Sequence, residues 1–254
     1  MCASNSQIFG DNKIYETIEK LQNIFVIVVN KHKEPKHKKD AFFLFAVAKS
    51  KKTLEAISLL CQKGFGEDAV ILSRSVLELY FSLKYILSVG DDSLAERFFE
   101  YDWVVRKEMY DKNQLNFNLN MDHKVIQEII KQYNRVQRKY NFDPKKGWSD
   151  ISTYKMAEKF GLKGVYNTWY KISCMLSHPN PRSTNEYFKE GNKKELTLSI
   201  SPSNNLVNES LLSSVFVCLE ILKEFNHYFL KNLDNELNKI EDIIKSLVPR
   251  SSNM

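Results

Sequence analysis

The stretch EDAVILSRSVLELYFSLKYILSV, from Glu67 to Val89, decides the fold. Set at about 100° per residue, Val70, Ile71, Phe81 and Tyr85 fall on one stripe, and Leu72, Val76, Leu79 and Leu83 fall on the opposite side. A helix that is apolar on two faces has to be covered on two faces, so this segment predicts a central helix with others packed around it. Glu67 and Asp68 put negative charge at its N-terminus, where the helix dipole favours it. Gly64-Phe65-Gly66 supplies the C-cap and turn of the helix before it.

Working outward, Ile14, Ile18, Leu21, Phe25 and Val28 share one stripe and predict a helix from Asp11 to Lys31, stopped by the basic break around Pro35. A second helix is expected from Asp40, as N-cap, to Lys63. Beyond the central helix, Gly90-Asp91-Asp92-Ser93 caps a fourth helix reaching about Asn116, and Asp122 caps a fifth reaching Tyr140. A loop from Asn141 to Asp150 precedes a short helix ended by Gly161. Gly164 to His178 is helical again and is stopped by Pro179-Asn180-Pro181. Leu196, Leu198 and Ile200 alternate with Thr197 and Ser199, and Gly191-Asn192 offers a turn, so one small β-hairpin fits between Glu186 and Ser201. Asn205 to Val248 reads as a long helix, kinked or broken between Asn232 and Asn235.

The expectation is an all-α, single-domain multi-helix bundle over 1–248, with a disordered tail over 249–254. Gly (8) and Pro (6) are scarce in 254 residues, and this paucity of breakers agrees with helices throughout. Hydrophobic residues at 43% and charged residues at 27% match a folded globular chain rather than a disordered one. A formal charge of +6 permits contact with phosphate backbones without implying it.

The four cysteines (Cys2, Cys61, Cys174 and Cys218) share no CxxC spacing. They read as small buried hydrophobes of a reducing compartment. The polar start, Met1 to Asp11, and the shortness of the apolar runs Ile24 to Val29 and Ala41 to Ala48 predict a cytoplasmic chain that crosses no membrane.

Two constellations can carry chemistry. Arg74 and Glu78 lie four apart within the stripe of Phe81 and Tyr85, so both charges are expected to point inward and be mostly inaccessible. The pair reads either as a structural ion pair that fixes helix register or as a polar pocket in which Arg74 holds an anion. Tyr166, Tyr170, Lys171, Ser173, Ser177, His178 and Arg182 form the second group. Lys171 and His178 are seven apart and are expected on one stripe. His178 sits at a helix end, where the dipole favours imidazolium. Beside Asn180 and Arg182 it is placed either as a general acid or base on a phosphodiester or as a cap that bonds the last carbonyls. Glu224 and His227 match half of a di-iron motif, but the second half is missing on any helix, so no metal or cofactor is expected. P-loop, GxGxxG, GxSxG and HExxH signatures are all missing.

Arg74-Ser75-Val76-Leu77-Glu78, the following Tyr85-Ile86, and Tyr170 through Pro179 with its Ser173, Ser177 and His178 resemble a bacterial family. It is the domain-of-unknown-function family five-six-seven-seven, and the likeness covers Ala41 to Arg182. Proteins of this kind look distantly similar to the HEPN group, many of them ribonucleases of toxin–antitoxin and phage-defence systems that act as dimers. That resemblance implies a metal-independent endoribonuclease with RNA as substrate, a homodimer, and an antitoxin or defence-system partner. HEPN nucleases carry an Arg, four to six residues, then a His. Lys171 and His178 match with six between, and lysine keeps the charge but loses the bidentate fork. In that reading His178 is the acid/base group, and Lys171 and Arg182 stabilise the phosphorane. Arg74, Glu78, Tyr170 and Ser173 line a ligand site. The alternative is a non-catalytic helical binding module with an Arg–Glu pocket.

Overall fold

The computed structural model describes residues 8–31, 34–117, 122–143, 147–190, 196–229 and 232–247. The predicted tail, and the Gly191-Asn192 turn, lie outside them. Helix α1 (Asn12–Lys31) leads to α2 (Lys38–Gln62) and then to α3 (Gly66–Leu87), the helix over the deciding stretch. Phe81, Val70, Val76, Leu79 and Leu83 are all buried. Helices α2, α7 (Thr153–Lys159), α9 (Lys171–Leu176) and α10 (Val207–Phe229) each pack against α3, which makes it the central helix that its two apolar faces demand.

The turn between α2 and α3 shows why glycine stands there. Gly64 has φ +79°, a left-handed conformation that disfavours side chains. A Cβ on Gly66 would fall 2.0 Å from the Asn205 carbonyl oxygen, so the start of α3 and the chain entering α10 meet backbone to backbone. Phe43 packs edge-on against Phe225, and the Cys61 thiol lies 3.1 Å from the Ser210 hydroxyl, joining α2 to α10.

The caps differ from expectation. Asp40 is the third residue of α2 rather than its N-cap, and its carboxylate reaches back to the N–H groups of Lys36 and His37. Asp92, on the turn after α3, accepts from the N–H groups of Lys38 and Lys39 and so satisfies the same helix end from a distant part of the chain.

The expected fourth helix is two, α4 (Ser93–Glu100) and α5 (Asp102–Phe117), divided at Tyr101. Asp122 caps α6 (His123–Tyr140) as read, accepting from the Lys124 N–H. The α5–α6 pair carries its own small cluster, Val104, Val136 and Phe142, apart from the main core. The long final helix is broken into α10 and α11 (Asp234–Leu247), with Asn232 at φ +55°. Asn226 bridges the break, donating to Asp234 and accepting from the Leu233 N–H.

The hairpin forms as a two-stranded antiparallel pair, β1 (Phe188–Glu190) and β2 (Leu196–Leu198), with Phe188 opposite Leu198. Its alternation is present, yet Leu196 (71%) and Ile200 (85%) face outward rather than into a core. Among the described residues no helix is long and apolar enough to cross a membrane. Cys61, Cys174 and Cys218 are free thiols, and Cys2 lies outside the described residues.

Candidate functional site

Arg74 and Glu78 sit on the face of α3 that the segment Lys163–Leu176 overlies, with the start of α7 further along. That segment is not one regular helix. After α8 (Lys163–Val165) comes a π-helical turn, Tyr166–Tyr170, and then α9. The extra residue per turn bulges the backbone locally. Tyr170 then lies over α3, with Tyr166 stacked on it at 4.6 Å, and the Trp169 indole donates to the Ser73 hydroxyl. The Tyr170 hydroxyl donates to Glu78 Oε1 at 2.7 Å, and the Arg74 Nε donates to the same oxygen at 3.1 Å. The guanidinium lies 5.2 Å from the Tyr170 ring centre, and its Nη2 is 3.4 Å from the Tyr170 hydroxyl.

The pair is hydrogen-bonded as expected but is not inaccessible: the Arg74 side chain is 29% exposed and that of Glu78 is 40% exposed. The expectation of a buried pair rests on Val70 and Phe81, which share its stripe and are themselves fully buried. In the fold Tyr170 covers the pair from one side and Glu78 borders a recess lined by Ser82, Trp148 and Thr153, so the charged part of the stripe stays partly open. Burial alone would lower the Arg74 pKa. The Tyr170 hydrogen bond and the Glu78 charge outweigh it and hold the guanidinium more firmly protonated. Burial first, and then Glu78, push the Tyr170 hydroxyl well above its ordinary range.

The second constellation is rearranged. Helix α9 ends at Leu176, with the Ser177 N–H donating to the Ser173 carbonyl, and His178 lies beyond the C-cap. Lys171 and His178 therefore do not share a helical stripe, because the chain leaves the helix before the second full turn. Both are exposed. Among the described residues the His178 ring makes no hydrogen bond, so it does not cap the last carbonyls either. Ser173 is fully buried and donates to the Tyr170 carbonyl, a structural role away from the crevice. Arg182 is the second residue of a 3₁₀ turn, Pro181–Glu186, where its N–H donates to Asn180 Oδ1 and its side chain is exposed.

Ser177, in addition to Tyr170, joins the two constellations. Its hydroxyl accepts from Arg74 Nη1 at 3.4 Å while donating to the Cys174 carbonyl. Ser177 directly precedes His178, so the Arg74 contact falls on the residue next to the histidine. Arg74, not Lys171, is thus the cation tied to the His178 turn. A further set of residues lines a recess on the other side of Glu78: Ser82, Trp148, Ser152 and Thr153 among them. Ser82, four residues past Glu78 on the same stripe, was readable from spacing, whereas the loop residues carry no periodic signal.

The family of unknown function DUF5677 matches residues 40–195, well over half of the chain. The chain belongs to this family. Every site residue named above falls within the DUF5677 span, whereas α1, α10 and α11 lie outside it. The span thus carries the crevice, and elements beyond it complete the core. Comparison with curated proteins and with solved structures found no match. Among the described residues no group of three or more His, Cys, Asp or Glu side chains is arranged to hold a metal ion. Glu224, of the half-motif, is paired with Lys84.

Proposed function

We propose that this DUF5677 chain is a HEPN-like RNA-cleaving protein in which Arg74 grips a phosphate and His178 moves the proton. The observation that carries this reading is the Ser177–Arg74 contact, because Ser177 directly precedes the exposed His178 and the guanidinium is already oriented by Glu78 and Tyr170. Arginine suits the task because its fork matches two phosphate oxygens and stays charged. Imidazole suits the other, because it exchanges protons near neutrality. His178 would take the proton of the ribose 2′-hydroxyl as its oxygen attacks the neighbouring phosphorus. It would return that proton to the 5′-oxygen as the P–O5′ bond breaks, leaving a 2′,3′-cyclic phosphate and a free 5′-hydroxyl. Arg74 would stabilise the negative charge that develops on the phosphorane. Lys171 and Arg182, both exposed nearby in sequence, would steer the RNA backbone rather than hold the reacting phosphate.

A homodimer, an antitoxin or defence partner and a cytoplasmic location belong to the same reading. The free thiols fit a reducing compartment.

The test is cleavage of a single-stranded RNA by pure protein with a chelator present. Wild type should cut, His178→Ala should lose about 100-fold or more, and Arg74→Ala should lose both binding and rate. A second reading, a helical module that binds RNA without cutting it, is favoured by one observation. The His178 ring has no orienting hydrogen bond among the described residues, whereas a general base is ordinarily held by a third group. Binding that depends on Arg74, with no cleavage by wild type, would establish that second reading.

A further inference from the structure

The stripe of α3 that carries Arg74 and Glu78 continues one turn further to Ser82, where it opens into a recess of about 410 Å³. The walls are α3, the loop Trp148 to Ser152 and the start of α7. Trp148, Ile151 and Met156 make the apolar side, and Glu78 is the one carboxylate among the described lining residues. Its polar groups are unequally engaged. Glu78 Oε1 is taken by Arg74 and Tyr170, while Oε2 makes no hydrogen bond among the described residues. The Ser152 hydroxyl accepts from the Lys155 N–H at 3.3 Å and keeps its own hydrogen to donate. The Ser82 and Thr153 hydroxyls have no partner among the described residues.

Such a recess asks for a ligand with N–H groups for the carboxylate, an adjacent acceptor for the hydroxyls, and an apolar flank for the Trp148 side. A nucleobase with an exocyclic amino group has all three features. Its amino hydrogens meet Glu78, its neighbouring ring nitrogen or carbonyl meets a hydroxyl, and its faces are apolar. Uracil instead presents two carbonyls around a single N–H, and a carboxylate repels them. Glu78 belongs to both places: its Oε1 accepts from Arg74 Nε at 3.1 Å, and it lines the recess that runs on to Ser82.

We propose that this recess holds the base of the nucleotide whose phosphate rests on Arg74, and that Glu78 selects amino-bearing bases over uracil. The proposal deepens the phosphate-binding reading given above and rests on it.

The experiment is calorimetric titration of the full chain with CMP, UMP and inorganic phosphate, using wild type, Glu78→Gln, Ser82→Phe and Arg74→Ala. CMP should bind wild type about 10- to 100-fold tighter than UMP, the range for one well-placed base contact. Glu78→Gln should erase that preference, because the amide offers a donor beside its acceptor. Ser82→Phe should fill the recess and leave both nucleotides bound no better than phosphate. Thr153→Tyr fills it from the opposite wall and serves if the Ser82 variant does not fold. Equal binding of CMP and UMP that still needs Arg74 overturns the base site and leaves the phosphate reading standing. A CMP preference that survives both Glu78→Gln and a filled recess overturns it as well. Failure of all three ligands to bind wild type overturns both.

Discussion

Glu78 is the residue on which the crevice turns, since one of its oxygens holds both Arg74 and Tyr170. Because the pair is partly solvated, its loss costs less than that of an enclosed ion pair. Glu78→Ala should lower unfolding free energy by about 1–2 kcal/mol, read as a modest fall in the urea midpoint. A loss of about 3–5 kcal/mol, the cost for a buried pair, would mean the crevice is closed in solution. Tyr170 makes a second prediction. Its raised pKa means the neutral hydroxyl is the form the fold holds, through burial first and Glu78 next. That contribution is present in full below the ordinary tyrosine value of about 10 and is lost as pH rises from there through the folded value. The stability difference between wild type and Tyr170→Phe should therefore be constant through neutral pH and shrink on the alkaline side. At this scale the sequence made Arg74, Glu78 and Tyr170 visible, through spacing and the chemistry of their side chains. Their exposure was not legible, because it depends on how distant segments pack around them.

Elements were legible wherever hydrophobic period and caps agreed. Helix α3 follows from its two apolar stripes, and α6 follows from Asp122. The division between α4 and α5 was hidden because no Gly or Pro stands between Ser93 and Phe117 to mark it. The π turn at Tyr166–Tyr170 has no composition of its own, and it carries the crevice geometry. Asp92 satisfies α2 across more than fifty residues, a contact that no local pattern reveals. The break between α10 and α11 can be tested directly. Asn226 is 6% exposed and bonds both sides of the break. Asn226→Ala should cost about 1–3 kcal/mol by leaving the Leu233 N–H without its acceptor. Thermal melts of the two proteins side by side would read this as a drop of several degrees. A melt unchanged by the substitution would show that Asn232 alone shapes the turn.

The whole molecule is a main core around α3 with the α5–α6 pair set on a smaller cluster. Leu83 is fully buried at the centre, so Leu83→Ala should cost about 2–5 kcal/mol, measured by chemical denaturation. Val104, Val136 and Phe142 form a far smaller cluster, so α5 and α6 should exchange their amide hydrogens sooner than α3. Equal protection of all three would show the two clusters to be one cooperative unit. The helix that closes the main core is the last long one. Phe43 and Cys61 of α2 find Phe225 and Ser210 on α10, and the start of α3 meets the backbone at Asn205. On the ribosome, then, α1, α2 and α3 emerge well before the helix that covers the side they turn toward α10. Until Val207–Phe229 has been made, a growing chain carries Phe43 and its neighbours uncovered, and a message truncated ahead of that point yields a product for chaperones and proteases rather than a smaller version of the protein.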